Sequence, residues 1–242
     1  SFKKGHKYVT VLSEPRSGCV LDVEEDRTKK ACTALLDKTL TEAQQRKVRT
    51  VSVDMWKAFI NTVKQAMPQA DIVHDRFHLV KYLNDALDKV RRREVKTHAL
   101  LRNSRYALLK NPQKLTEKQR ITFEQIKAAN HEVAQAWQVR ENFKCLFSSN
   151  PHEAFGLYMK WAADATHRNM KEVTKVVDMF HAHLRGVINA LVTTFSNAMA
   201  ERLNGKIQQL KSIGRGYRKF ANFRSAILFF HGGLDLYPLK SG

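Results

Sequence analysis

Near the end of the chain a single carboxylate stands among cations. Glu201 lies within Ser196-Asn197-Ala198-Met199-Ala200-Glu201-Arg202-Leu203-Asn204-Gly205-Lys206, and Lys211, Arg215, Arg218, Lys219 and Arg224 follow it. A carboxylate in such a setting can hold a divalent cation against a polyanion while the cations neutralise phosphates, which points to chemistry on nucleic acid. Upstream, Asp54 closes the run Val48-Arg49-Thr50-Val51-Ser52-Val53 and precedes a helix-like segment. That position suits a helix N-cap and equally suits an oxygen ligand for Mg²⁺, and the two roles are compatible. Asp75 and His78 follow a second short apolar run, Ala70-Asp71-Ile72-Val73. They read either as a cap with a surface imidazole or as a pair in which the histidine donates to a phosphate oxygen.

Composition supports a phosphate-bearing partner independently. Across 242 residues, 42 Lys+Arg against 23 Asp+Glu leave a formal charge of +19, enough to bind nucleic acid without sequence preference. A hydrophobic fraction of 43% in a chain of this length can bury a real core, which excludes a disordered basic tail. Cys19, Cys32 and Cys145 are far apart and form neither a disulfide framework nor a zinc knuckle. With no secretory leader and no apolar run approaching the ~20 residues of a membrane span, the expectation is a soluble intracellular protein.

The elements that must position these residues are legible in outline. Lys7–Ser13 and Gly18–Val23 alternate or carry β-branched residues around the turn-rich Glu14-Pro15-Arg16-Ser17-Gly18, predicting an antiparallel hairpin. Thr28 to about Val48 reads as one helix with Ala31, Leu35, Leu36, Leu40 and Ala43 on its apolar face. A strand ending at Asp54, a helix from Met55 to about Ala66 and a strand before His74 suggest a βαβ unit with a parallel pair, whose ligands gather at the strands' carboxyl ends. From about Leu79 to Leu191 the chain reads as helix with loops at Asn111-Pro112 and at 148–151. Thr116 with Gln119 predicts a capping box, and Asn150-Pro151 an N-cap with proline at the first helical position. Met170, Val173, Val177, Phe180, Leu184, Val187 and Leu191 form an apolar stripe that reads as helix-bundle core. Near Glu201, Asn197, Gly205 and Gln208 share its helix face, and Gly205 hints at close approach by a backbone or ligand.

Together the segments Val51-Ser52-Val53-Asp54-Met55-Trp56, Ala70 to His78 and Ser196 to Ile207 resemble the catalytic domain of bacterial insertion-sequence transposases of the DDE type, in the ISL branch. The tail from Arg215 to Arg224 and His231-Gly232-Gly233-Leu234 fit the same pattern. The resemblance implies an α/β, RNase H-like mixed sheet interrupted by a large all-helical insertion and predominantly helical overall. It divides the chain into residues 1–90, the first part of the core; 91–190, the insertion; and 191–242, the C-terminal part of the core. Asp54 would be the second acid and Glu201 the third, both metal ligands for two Mg²⁺ or Mn²⁺ ions, with Asp75 and His78 as the signature after the second acid.

The family's first acid falls on an opening strand ahead of a segment like Ser1 to Tyr8, and its zinc-binding and helix-turn-helix regions usually come earlier. Asp22, on the second hairpin strand, is a poor substitute. The expectation is therefore a truncated piece that binds DNA without cutting it. Lys206, Lys211, Arg215, Arg218 and Lys219 would neutralise the DNA backbone. The resemblance further implies transposon-end and target DNA as partners, a dimer or larger assembly on DNA, and a bacterial cytoplasmic, nucleoid-associated location. A noncatalytic nucleic-acid-binding remnant and an RNase H-like nuclease are the rival readings.

Overall fold

The structure is a computed structural model that describes residues 8–129, 131–193 and 198–234, with side chains in the last stretch described from Arg202 onward. The residues before Tyr8, together with Ser196 and Asn197, lie outside the described residues, as does the side chain of Glu201. The chain divides into two compact units, one comprising Ser1–Ile72 with Phe195–Gly242 and the other Val73–Thr194. Among the described residues it is predominantly helical, with two small sheets.

In the first unit, β1 (Val9–Ser13) and β2 (Val20–Glu25) form the expected antiparallel hairpin, with Val11 opposite Val23 and Leu12 opposite Asp22. The Glu14 carboxylate accepts the backbone N–H groups of Arg16 and Ser17, and Gly18 takes φ +73°, so the turn closes through local side-chain bonds and a glycine-permitted conformation. The long helix expected over 28–48 is instead α1 (Lys29–Thr39) and α2 (Glu42–Lys47). Thr41 and Gln44 make a reciprocal capping box, which satisfies first-turn donors and starts a new helix where the apolar spacing predicted continuity.

Next come β3 (Thr50–Val53), α3 (Lys57–Ala66) and β4 (Asp71–His74), and β3 pairs with β4 in a second two-stranded sheet. Leu36, Val63 and Met67 bury themselves against Leu12, Val51, Val53 and Ile72, so residues of both sheets meet in one apolar cluster. Two helices complete this unit, α11 (Ala198–Ile213) and α12 (Phe220–His231), whose Leu203, Ile207, Phe223 and Ile227 cover Val20 and Val23 of the hairpin. Burying such side chains stabilises by about 1.5–3 kcal/mol each.

The second unit is helical: α4 (Arg76–Glu94), α5 (Arg105–Leu109), α6 (Glu117–Ala128), α7 (Glu132–Cys145), α8 (Ala154–His167), α9 (Lys171–Ala182) and α10 (Leu184–Val192). The Thr116–Gln119 capping box is present. At 150–153 the expectation fails, because the Asn150 carboxamide closes a turn onto His152 N–H and α8 starts only at Ala154. The apolar stripe is core, with Met170, Val173, Val177, Phe180, Val187 and Leu191 buried and Leu184 half-buried, but it divides between α9 and α10 at His183. Phe143 sits 4.7 Å from Trp161 and 5.3 Å from Phe180, and the Trp161 indole N–H donates to Val139 C=O. Gly186 is fixed by a close approach, since a Cβ there would stand 2.6 Å from the buried His74 ring.

Candidate functional site

Asp54 follows the last residue of β3 and leads into α3. Its Oδ1 accepts the Trp56 backbone N–H at 3.0 Å, which bends the chain from strand to helix. Trp56, not Asp54, occupies the N-cap position of α3 and supplies no side-chain cap. The other carboxylate oxygen of Asp54 is ion-paired with Arg27, a residue that sequence reasoning passed over. The Arg27 guanidinium lies 4.9 Å over the Trp56 ring and 5.9 Å from that of Phe59, and the Trp56 indole N–H returns a bond to Arg27 C=O. The Asp54 side chain is 15% exposed and Arg27 37%, so the pair is half-shielded and opens to solvent on the arginine side. Asp54 thus presents a hard oxygen donor whose charge, among the described residues, Arg27 balances.

The backbone of Glu201 is helical, in the first turn of α11 within the same unit as Asp54. Further along α11, Leu203 and Ile207 turn inward, while Gly205 and Gln208 are exposed, as are Arg202, Lys206 and Gln209. Nothing in the chain approaches Gly205, where a Cβ would have open space, so the expected close approach by backbone is absent among the described residues.

The cations predicted to meet DNA lie along α11 and on the turn between α11 and α12. Lys206, Arg215, Arg218 and Lys219 are exposed and Lys211 half-buried; none pairs with a carboxylate among the described residues. Arg215 itself adopts φ +49°, followed by Gly216 at +88°, and Gly216 N–H bonds Lys211 C=O to end α11. Burial, followed by the nearby charge of Lys206, holds the His231 imidazole below its ordinary range. Arg224 differs from its neighbours: its guanidinium grips Asp22 at 2.7 and 3.0 Å, and Lys38 adds a third cationic contact at 3.4 Å. Arg224 is therefore a structural partner, and Asp22 is a buried hairpin staple.

Asp75 and His78 lie in the helical unit. Asp75 caps α4 by accepting Phe77 N–H at 2.9 Å, and His78 Nε2 stands 3.9 Å from its other oxygen. Between them Arg76 has a role that the sequence concealed. It donates to the carbonyls of Ala190 at 2.8 Å, Leu191 at 3.4 Å and Thr193, and covers the Phe147 ring at 4.9 Å. A cation on the last carbonyls of α10 complements the helix dipole, and it ties the two ends of the helical unit to each other. Burial lowers the pKa of this guanidinium, although arginine stays charged across the physiological range.

A family model described as transposase, of the DDE ISL3 type, matches residues 1–227. The transposase for insertion sequence element IS1001 of Bordetella parapertussis is 26% identical over 224 residues, covering 89% of this chain and 55% of the relative. The transposase for insertion sequence element IS1557 of Mycobacterium tuberculosis is 25% identical over 246 residues, covering 90% of this chain and 55% of its own length. The chain thus spans about half the length of the curated relatives it matches. No solved structure matches it.

Proposed function

The chain belongs to the ISL3-type family of DDE transposases, and we propose that it carries catalytic residues for metal-dependent DNA strand cleavage and strand transfer by an insertion-sequence element. The observation that carries this reading is the carboxylate of Asp54 at the end of β3, balanced by a single displaceable Arg27 and housed in the same unit as the helix bearing Glu201. Two sheets that share one apolar cluster also suit an RNase H-like arrangement, in which a further strand would join them.

The donor chemistry fits a hard divalent ion, because Mg²⁺ takes carboxylate oxygens and keeps water or phosphate in its remaining positions. Asp54 would supply one such oxygen once Arg27 swings aside, and Glu201 another. When bound, a pair of these ions polarises the attacking and leaving oxygens of an in-line phosphoryl transfer. The residues of this chain do the rest. Arg27 holds the Asp54 carboxylate ready by neutralising it, and its release to the aromatic face of Trp56 leaves the acid in place. Lys206, Lys211, Arg215, Arg218 and Lys219 engage phosphates of transposon-end and target DNA, fixing position without reading sequence. Asp75 sets the first turn of α4 from which His78 offers an N–H to a phosphate oxygen. Assembly as a homodimer or higher oligomer on DNA, in a bacterial cytoplasm, belongs to the same reading.

This reading assigns two of the three acids that the family's chemistry uses, so the test requires the protein extended to the length of its relatives. With Mg²⁺ and a plasmid carrying the element's ends, Asp54→Asn and Glu201→Gln should each lose cleavage and joining while retaining DNA affinity. Full cleavage by Glu201→Gln would sink the assignment and favour a nucleic-acid-binding role for this surface. Cutting without joining by the parent would favour a nuclease. The present chain alone should bind DNA steeply dependent on salt and leave supercoiled plasmid intact.

A further inference from the structure

Glu94, His98 and His131 lie in the helical unit and play no part in the chemistry above. Their ligand atoms all fall within 4.8 Å of one another, and all three residues are half-buried. Glu94 ends α4, and His98 follows one turn later, its N–H bonded to Glu94 C=O at 2.9 Å, so both side chains leave from one face. His131 arrives from elsewhere in the sequence, at the N-cap of α7.

That N-cap is unusual. The position favours Ser, Thr, Asp or Asn, whose oxygen accepts a first-turn N–H. Here the imidazole makes no such bond and instead stacks on His98, with ring centroids 3.8 Å apart and planes 24° from parallel. The first turn of α7 is served from outside, because Val133 N–H donates at 2.8 Å to Glu94 Oε2. One carboxylate thus replaces the missing cap and is itself oriented by that bond, as a hydrogen bond from the backbone orients a carboxylate that holds a metal.

We propose that Glu94, His98 and His131 bind one divalent transition-metal ion, Zn²⁺ foremost, which clamps the end of α4 to the start of α7. Two imidazole nitrogens and one carboxylate oxygen are borderline donors that suit Zn²⁺, with Co²⁺ and Ni²⁺ as substitutes, and not Mg²⁺, which prefers oxygen throughout. Tetrahedral Zn²⁺ with bonds near 2.1 Å separates its ligand atoms by about 3.4 Å, so closure from the present spacing needs a small contraction and a turn of each ring about χ2. Arg93, which precedes Glu94 in the chain, is engaged by Glu132 and by Glu172 at 3.2 Å. With Glu94, three carboxylates surround that one cation.

The test uses the intact 242-residue chain, stripped of metal with a chelator and titrated with Zn²⁺ against a chromophoric competitor, with Co²⁺ absorption as a spectroscopic reading of the ligand set. The expected result is one tight equivalent, a melting temperature raised by several degrees, and a Co²⁺ spectrum of low coordination number. Glu94→Gln, whose amide oxygen can still accept the Val133 bond, should weaken binding at least tenfold while its metal-free melting point stays near that of the parent. The double variant His98→Ala/His131→Ala should lose the site. Ten histidines and three cysteines could bind Zn²⁺ elsewhere; equal affinity, stoichiometry and melting shift in parent and Glu94→Gln would overturn the proposal, as would no tight binding by the parent. The outcome is independent of DNA cleavage, since neither reading requires the other.

Discussion

Asp22 and Asp54 are both aspartates of the α/β unit paired with arginine, and their surroundings separate a staple from a latch. Asp22 is 6% exposed, and its two oxygens meet Arg224 in bidentate fashion, Lys38, and the Val23 backbone N–H at 2.6 Å. Burial alone would push its carboxyl up, but the Arg224 bonds, the Val23 N–H and the charge of Lys38 outweigh that and hold it below the ordinary carboxylate range. Asp54 has one arginine among the described residues, about as exposed as Arg224 and resting on the Trp56 ring. A carboxylate with three cationic contacts from two helices, α12 and α1, cannot change partners cheaply. One held by a single arginine changes partners more readily.

The largest effect that could break this contrast is on reaction rate. In the protein extended to its relatives' length, Asp54→Asn should slow strand cleavage of a labelled element end about 10³-fold, the several kcal/mol that a metal ligand contributes. Its unfolding free energy should change by less than about 1 kcal/mol, because a single ion pair open to solvent on its arginine side contributes little. Asp22→Asn should reverse the pattern in urea unfolding of the present chain, costing about 2–3 kcal/mol. That is below the range for breaking a fully buried pair because Arg224 is 39% exposed. If Asp54→Asn proved as destabilising as Asp22→Asn, the latch would be a second staple.

A smaller effect should appear with acid. Since the folded pKa of Asp22 is depressed, its contribution is fully present above the unfolded value near 3.9 and is lost as pH falls through the lower folded value. Parent and Asp22→Asn should therefore converge in stability below about pH 4; a constant gap down to pH 2 would assign the loss to packing. The smallest effect expected is that of Arg27→Gln, which removes the competitor for Asp54 and should tighten Mn²⁺ binding to the extended protein a few-fold in calorimetric titration. Unchanged affinity would mean that Arg27 does not guard the acid.

Local signals gave the elements, and long-range partners escaped. The hairpin was legible because strand alternation and the Glu14–Gly18 turn act within a few residues. The Thr41–Gln44 box was equally present in the sequence, yet the apolar spacing through Leu40 and Ala43 suggested a continuous helix. Thr116 and Asn150 carried similar capping signals with different results, because the bond from His152 N–H satisfies Asn150 in a turn before any helix begins. At the site, Asp54 could be found from its place after a strand, whereas Arg27 carried no signal of its own. Arg224 read only as one more cation after Glu201 until its partner, 202 residues away, was in view. Glu94, His98 and His131 went unnoticed for the same reason, since only the fold brings α7 back to the end of α4.

The Arg76 contacts have a consequence for how the chain assembles. Closing a flexible segment costs entropy that rises only with the logarithm of its length, about 0.6 kcal/mol for each doubling, but the ends must still find each other. Here one guanidinium joins the start of α4 to carbonyls 114 and more residues later, so a helical unit that folds by itself would deliver both its termini to a common point. To the α/β unit, so long an excursion would then present itself as a short, already closed loop. Such a segment can be lengthened, trimmed or exchanged over evolutionary time with little penalty, provided that the fastening at its neck survives.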